Sequence, residues 1–385
     1  MYRKCFLQFS RNCANWPPTN KHLILPQKIC NDFRKTLPKI YSETFAKTSY
    51  FKDSNAKERL QKVIEYFTLE RIQVQGQLAI FAYQALEDPA KITEESMYQI
   101  YTIAWCVEMG LSYYLIIDDI DDKAETRNGK PCWHLLPDVG TMALNDASMM
   151  RSFISEILNH NLREDMYNKI IKLFNEAFFR SDYGQYLDSV TSKNRNFSSF
   201  NVELFTKISD SKFTYYFIKF PILVALAMAN YLNKESIQNV DQALKHIGCW
   251  IQMHNDILDW CDESVTGKTN TDIKNGKASW LAANALQKCY PNQREIFLSH
   301  YGSHKPDDVQ RILKLYDELG LRDEFCQDHR TRLNNILKQI NSLPKYSIPN
   351  QNFFNEFLTK LYPLIVFFPE ALEFDQNNRQ KTLNA

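Results

Sequence analysis

Two acidic stretches stand out in the chain. The first, Asp118-Asp119-Ile120-Asp121-Asp122, follows directly on the apolar run Tyr113-Tyr114-Leu115-Ile116-Ile117. On a helix, Asp118 and Asp122 lie four residues apart and project from one face. Carboxylates at the end of such a run repel each other and suffer desolvation, and a bound cation removes both penalties. The donors are oxygens, with no His or Cys among them. The cation expected is therefore Mg²⁺, which keeps part of its water shell and bridges to phosphate oxygens. The second stretch is Gln252-Met253-His254-Asn255-Asp256-Ile257-Leu258-Asp259-Trp260-Cys261-Asp262-Glu263. Asn255, Asp259 and Glu263 stand at i, i+4 and i+8, Gln252 sits one turn earlier, and Asp256 completes the opening Asn-Asp pair. Opposite the first motif, this stripe of oxygens would make a cavity closed by metal and diphosphate. The candidate metal ligands are Asp118, Asp122, Asn255, Asp256, Asp259 and Glu263.

A diphosphate needs concentrated positive charge beyond the metal. Arg127, just after the first motif, Lys212, and Lys268 in Val265-Thr266-Gly267-Lys268 are the candidates. Gln185 and Asp188, three apart on a helix, complete the polar set. Around it, Tyr113, Tyr114, Phe213 and Tyr216 offer ring faces able to stabilise a migrating positive charge.

Long helices must position these groups. Leu60, Val63, Ile64 and Phe67 repeat at helical spacing within residues 55–86. Thr93-Glu94-Glu95 reads as an N-cap and acidic first turn of a helix reaching Ile117, apolar nearly all round and so buried on most sides. Asn201 is expected to cap a helix ending near Phe220-Pro221. Leu244, Ile247, Ile251 and Leu258 mark another apolar stripe, and Pro306 to Gly320 has the Pro-start, Gly-stop signature. Loops are expected near Asn128–Gly140 and Val265–Lys277.

Composition agrees. The 385 residues include only 10 glycines, about 2.6% against a usual share of roughly 7%. No GxGxxG or GxxxxGK[ST] occurs, which excludes the glycine-rich phosphate cradles. A net charge of +1 argues against a dedicated nucleic-acid binder. Nine cysteines, with no CxxC, read as thiols in a reducing compartment. The longest uninterrupted apolar stretch, Phe220 to Ala229, is too short to span a bilayer, so no stable membrane insertion is expected. The first 31 residues hold five basic residues and no acid, the profile of a transit peptide or of a disordered extension. Residues 1–40 are accordingly read as an N-terminal extension and 41–385 as one all-α domain, cytoplasmic or mitochondrial and not secreted.

The stretch DDIDDKAETRNGKPCW, followed by QMHNDILDWCDESVTGKTNTDIKNGKASWL, closely resembles the trans-isoprenyl diphosphate synthases, farnesyl diphosphate synthase in particular. The similarity spans roughly residues 40–370. It implies a single large helical bundle around a deep central cavity (the isoprenoid synthase fold), a homodimer, and about three Mg²⁺ ions per site. Asp118 and Asp122 fall on the first-motif metal ligands of that family. Arg127, Lys212, Lys268 and Gln252 fall on positions holding the allylic diphosphate or its metal-bound water. Asp118, Asp119, Asp122, Arg127, Lys212 and Lys268 form the implied catalytic set. Gln185, Asp188, Tyr113, Tyr114 and Phe213 line the substrate.

The departures from the family cluster. That family binds isopentenyl diphosphate through GGKxxR, a Gln on the first-motif helix and a second Arg. Here Glu70-Arg71 replace the glycines, Ile72 the lysine, Gln75 the arginine, Leu111 the glutamine and Asn128 the second arginine. Each lost charge-assisted contact costs roughly 1.5–3 kcal/mol, so isopentenyl diphosphate should bind many orders of magnitude more weakly. The second motif begins Asn-Asp, approximating the metal motif of class I terpene synthases, and Phe213 replaces a usual Thr. The combination is similar to the insect terpene synthases derived from farnesyl diphosphate synthase.

The resulting expectation is a lyase. It ionises an allylic diphosphate, held to about C15 by Tyr113 and Tyr114 and hence farnesyl diphosphate. Release of diphosphate leaves a sesquiterpene hydrocarbon or alcohol, such as a pheromone precursor. The alternatives are a prenyltransferase making farnesyl diphosphate or a related chain, and a catalytically silent modulatory subunit.

Overall fold

The computed structural model describes residues 24–69, 71–127, 129–260 and 271–365. Helix α1 (Gln27–Lys47), α2 (Ser54–Thr68) and α3 (Val74–Leu86) lead to α4 (Glu94–Asp121). A short ribbon, α5 (Met142–Asn161), α6 (Glu164–Asn194) and α7 (Val202–Ser209) follow. The chain then winds as a π-helix over Asp210–Lys219 into α8 (Phe220–Met228). Next come α9 (Lys234–Ala243), α10 (Ile247–Asp259), α11 (Thr271–Asn275) and α12 (Trp280–Lys288). The last four are α13 (Pro291–His300), α14 (Pro306–Glu318), α15 (Leu321–Asn341) and α16 (Gln351–Ile365). This is the all-α bundle expected from the scarcity of glycine. Among the described residues, extended structure is confined to the ribbon β1 (Thr126–Arg127) and β2 (Lys130–Pro131), an antiparallel pair with Arg127 opposite Lys130.

Helix α4 organises the bundle. Thr93 and Ser96 form a reciprocal capping box at its start. Residues from Ile100 to Ser112 are buried without interruption, because α1, α2, α3, α5 and α8 pack around it. By length and composition α4 is also the one described helix apolar enough to cross a membrane, yet 78% of that window lies inside the fold. The sequence reading had singled out Phe220–Ala229 instead.

Other boundaries moved. The folded domain starts before residue 41, since Cys30, Phe33, Leu37 and Ile40 of α1 are buried. Phe33 stacks on Trp105 of α4 at 4.2 Å and accepts the indole N–H through its carbonyl at 3.1 Å. Residues 1–23, which carry most of the basic leader, lie outside the described residues. Asn201 caps α7 as expected, its side chain accepting from the Leu204 N–H at 2.8 Å. Pro221 does not end the helix; it stands where the π-helix passes directly into the first turn of α8.

The π-helix was not foreseen. Such stretches arise where a helix absorbs an extra residue, often at functional sites. Two close approaches hold it. A Cβ on Gly184 of α6 would overlap the Lys212 backbone, and one on Gly248 of α10 would overlap the Thr214 side chain. Glycine at these two positions lets α6 and α10 press the π-helix from both sides. That fixes Lys212 in space.

Candidate active site

The acidic motif ends α4 at the pole where a helix is already partially negative. Carboxylates there need opposing charge, and three cations converge to supply it. Lys212 Nζ lies 2.9 Å from Asp118 Oδ1 and 2.6 Å from Asp188 Oδ2. Lys277 Nζ lies 2.6 Å from Asp122 Oδ1 and 3.0 Å from the same Asp188 oxygen. Arg127 donates to Asp119 Oδ1 at 2.6 Å and to Asp118 Oδ2 at 3.2 Å. Asp118, Asp122 and Asp188 thus face one point, as the spacing predicted for the first two. Asp121 points elsewhere, to Ser189 and, at 2.7 Å, to Lys193.

The cations divide the carboxylates electrostatically. Burial alone would raise Asp118, but Lys212, Arg127 and Lys277 outweigh it and hold its carboxyl well below the usual range. Asp188 is lowered the same way, Lys212 and Lys277 overcoming burial. Asp122 is pushed up to about 6 by burial and the Asp118 charge, with Lys277 only partly offsetting them. Burial likewise raises Asp119, against the pull of Arg127.

Lys277 is the group that sequence reasoning missed. It sits in Asn275-Gly276-Lys277-Ala278, a segment read as loop, and no periodicity marks it. Only the fold brings it to Asp122 and Asp188, with Gly276 at φ 67° turning the chain just before it. Lys268 and Glu263 lie outside the described residues, as do Glu70 and Asn128.

The second acidic stretch is arranged differently from the expected open stripe. Asp256 is buried and both its oxygens are engaged, Oδ1 by Gln252 Nε2 at 2.7 Å and Oδ2 by the Trp280 N–H at 2.7 Å. Asp259 accepts from the Thr271 N–H at 3.0 Å and the Asp272 N–H at 2.9 Å. Each carboxylate thus satisfies the free donors at the start of a helix, α12 for Asp256 and α11 for Asp259. Asn255 is exposed on the opposite side of α10 from the buried Trp250 and Ile257. Gln252, expected on the allylic diphosphate or its metal-bound water, donates here to Asp256.

The aromatic candidates separate into two groups. Tyr113 and Tyr114 form an edge-on pair at 4.9 Å, and Tyr114 also meets Tyr216 at 5.3 Å. Phe213 instead stacks on Phe217 at 4.1 Å. Gln185 is partly buried and its Nε2 has no hydrogen-bond partner, a donor available to a ligand.

On the far side of Asp119 and Arg127 lies a small cavity of about 50 Å³, lined also by Arg71, Lys130 and Trp133. Arg71 is not free there. Its Nη2 lies 2.7 Å from Glu108 Oε2 and 3.2 Å from the Glu108 carbonyl, and Glu108 is fully buried. Glu108 also accepts from the Gly76 N–H at 2.7 Å. Leu111, one turn along α4, and Gln75 are buried as well.

A bundle of this form, delivering an aspartate-rich helix end to a ring of cations, defines an isoprenoid-synthase type of helical enzyme. The chain belongs to the polyprenyl synthetase family, which matches residues 57–319. It is 31% identical over 332 residues to a farnesyl pyrophosphate synthase of Nezara viridula, covering 85% of this chain and 82% of that protein. It is 32% identical over 311 residues to farnesyl pyrophosphate synthase of Rattus norvegicus, covering 79% and 87%. The solved structure of Trypanosoma brucei farnesyl diphosphate synthase complexed with risedronate superposes with a TM-score of 0.80. At 22% identity it covers 88% of this chain and 99% of its own, and so supports the fold.

Two outcomes follow. Breaking a buried ion pair on one side costs about 3–5 kcal/mol, so Glu108→Ala should lower unfolding free energy by that amount in a denaturant titration. A loss below 1 kcal/mol would remove the pair from the core. A carboxyl-carbon NMR titration of Asp122 should show a midpoint near 6, shifted upward in Lys277→Met. The ionised form of Asp122 is the penalised one, so its contribution to stability falls as pH rises from the ordinary carboxylate value through about 6. Asp118 has the opposite sign, its contribution being lost as pH falls below that value.

Proposed function

We propose that this enzyme ionises an allylic prenyl diphosphate, with farnesyl diphosphate as the substrate, and quenches the cation without isopentenyl diphosphate. It is then a class I terpene synthase similar to those that insects derive from farnesyl diphosphate synthase. One observation carries the choice. Where a second diphosphate would need cationic and amide donors, Arg71 is committed to Glu108 and the neighbouring positions are Ile72, Gln75 and Leu111.

Prenyl transfer to isopentenyl diphosphate is the second reading, and the comparisons favour it, because the relatives described above are named for it. Arg127 and Lys130 beside the small cavity also stand on its side. Both reactions need the same bundle and the same allylic site, so an overall identity near 30% is compatible with either. The few residues around Arg71 weigh little in such a percentage, and they are what supports the first reading. An intact Asp118, Asp122, Arg127 and Lys212 argues against a silent modulatory subunit.

Mg²⁺ takes one or two protein carboxylates and completes its shell with water and substrate phosphate. Asp118 and Asp122 would hold it, and Mg²⁺ when bound supplies Lewis-acid neutralisation of the leaving diphosphate. Lys212, Lys277 and Arg127 add fixed positive charge around the departing oxygens. Because they are held in place by α6, the π-helix and the ribbon, they stabilise developing negative charge without reorganising. The aromatic rings of Tyr114 and Tyr216, packed edge-on at 5.3 Å, are the candidates to favour a delocalised cation in this reading.

A homodimer is part of the same reading. On α6, Phe179, Tyr183 and Tyr186 are 77%, 44% and 63% exposed at i, i+4 and i+7, a stripe suited to a second copy. Wild type should sediment as a dimer and Phe179→Asp as a monomer; a monomeric wild type rejects the assignment. For the reaction, purified protein is incubated with Mg²⁺ and farnesyl diphosphate, with and without isopentenyl diphosphate. The expected products are a C15 hydrocarbon or alcohol and free diphosphate under both conditions, lost at least 1,000-fold in Asp118→Ala. Longer diphosphates formed only with isopentenyl diphosphate would establish prenyl transfer instead.

A further inference from the structure

We propose that Arg151 is a positioning residue that sets the length of prenyl chain the site accepts, by clamping Tyr113 and Phe178 into a fixed cavity floor. The inference rests on the reading that the site takes an allylic diphosphate, and on neither fate of the resulting cation.

Tyr114 lies one helical turn before Asp118 on the same face of α4, and Tyr113 is its neighbour. A chain tethered by its diphosphate at Asp118 and Lys212 and running back along α4 meets these rings. Tyr114 is anchored by the fold itself. Its hydroxyl donates to the Phe178 carbonyl at 2.9 Å, and its ring meets those of Phe178 at 6.1 Å and Tyr216 at 5.3 Å. Tyr216 is seated in turn by its bond to the Val107 carbonyl, at 2.9 Å, in the notch left by Gly110.

Tyr113 has no such backbone tie. Its hydroxyl is held by Arg151 Nη1 of α5 at 3.2 Å. The same guanidinium lies 5.1 Å from the Tyr113 ring centroid and 4.4 Å from that of Phe178, so one planar cation covers both rings. Asp182 of α6 braces it at 3.1 Å. Three helices therefore meet at Arg151: α4 through Tyr113, α6 through Phe178 and Asp182, and α5 through Arg151 itself.

Energetics make this clamp testable. Arg151 and Asp182 are 35% and 38% exposed, so their ion pair adds little to global stability. The guanidinium itself is partly exposed, so its stacking on half-buried Tyr113 and buried Phe178 is a modest effect. Loss of the clamp should leave the bundle folded and release Tyr113 to swing outward. A shift of about tenfold in the population of one ring orientation is the size such contacts can produce. That deepens the cavity for a longer chain.

The experiment compares wild type, Arg151→Gln, Arg151→Lys and Asp182→Asn, with Mg²⁺ and either farnesyl or geranylgeranyl diphosphate. Arg151→Gln should raise the kcat/KM ratio of the C20 to the C15 substrate about tenfold, mainly through KM. Arg151→Lys, which keeps a cation over the rings, should return most of the way to wild type, and Asp182→Asn should move the same way as Arg151→Gln by a smaller factor. A ratio unchanged within twofold, or equal losses on both substrates, overturns the clamp. If Arg151→Gln does not fold, Asp182→Asn gives the same reading. If wild type turns over only when isopentenyl diphosphate is added, the terpene synthase reading fails. The clamp is then tested by whether the same variants make longer diphosphates.

Discussion

The carboxylates of Asp118, Asp119 and Asp122 sit at the end of α4 that already carries partial negative charge, and most of that helix is enclosed by its neighbours. Left alone they would protonate or unwind the turn. The fold answers by bringing Lys212, Lys277 and Arg127 from three separate elements to within hydrogen-bond distance. That requirement accounts for much else. The π-helix and the two glycines pressing on it serve to place Lys212, and the ribbon exists to turn Arg127 back toward the helix it follows. The stretch before α12 delivers Lys277 to the same point.

The neighbouring Arg71–Glu108 pair obeys the same electrostatics to a different end. A buried carboxylate again meets a cation, but here Glu108 engages one end of the guanidinium, through Arg71 Nη2, while Arg71 Nε stays without a partner. In the allylic cluster Asp188 is shared between two lysines, and Asp122 is held on the edge of protonation. The first arrangement is closed and the second can be rearranged by an incoming charge. This contrast between adjacent sites is the physical ground of the proposal that only one of them takes a diphosphate.

Much of this was legible before any coordinates. Helical periodicity announced the bundle. The four-residue spacing of Asp118 and Asp122 announced their shared face, and Thr93 and Asn201 announced two caps. Other features depend on partners far away in the chain. Nothing local distinguishes Lys277 from any loop lysine, or Glu108 from a misplaced polar residue in an apolar helix. The second acidic stretch shows the same dependence on distant partners. Asp256 and Asp259 have the spacing of ligands, but their partners are backbone N–H groups 12 to 24 residues onward, at helix starts that only the fold brings back. The π-helix, too, follows from close packing of α6 and α10 and not from the propensities of residues 210–219. The boundary at residue 40 followed the basic, acid-free composition of the N-terminus, and the helix that carries Phe33, Leu37 and Ile40 runs across it.

The pairing of Asp118, Asp119, Asp122 and Asp188 with Arg127, Lys212 and Lys277 has a kinetic consequence. Taken together the groups are close to electrical balance, so the mouth of the site projects little net field into solvent. Under the proposed reading, a diphosphate arriving at the metal-free site is therefore not drawn in over long distances, and its rate of encounter should depend only weakly on ionic strength. Recognition begins at contact, when the arriving charge competes for lysines already bound to aspartates. Selectivity is thus exercised in the exchange of partners after arrival, and anions too small to contact several of these groups at once gain little by entering.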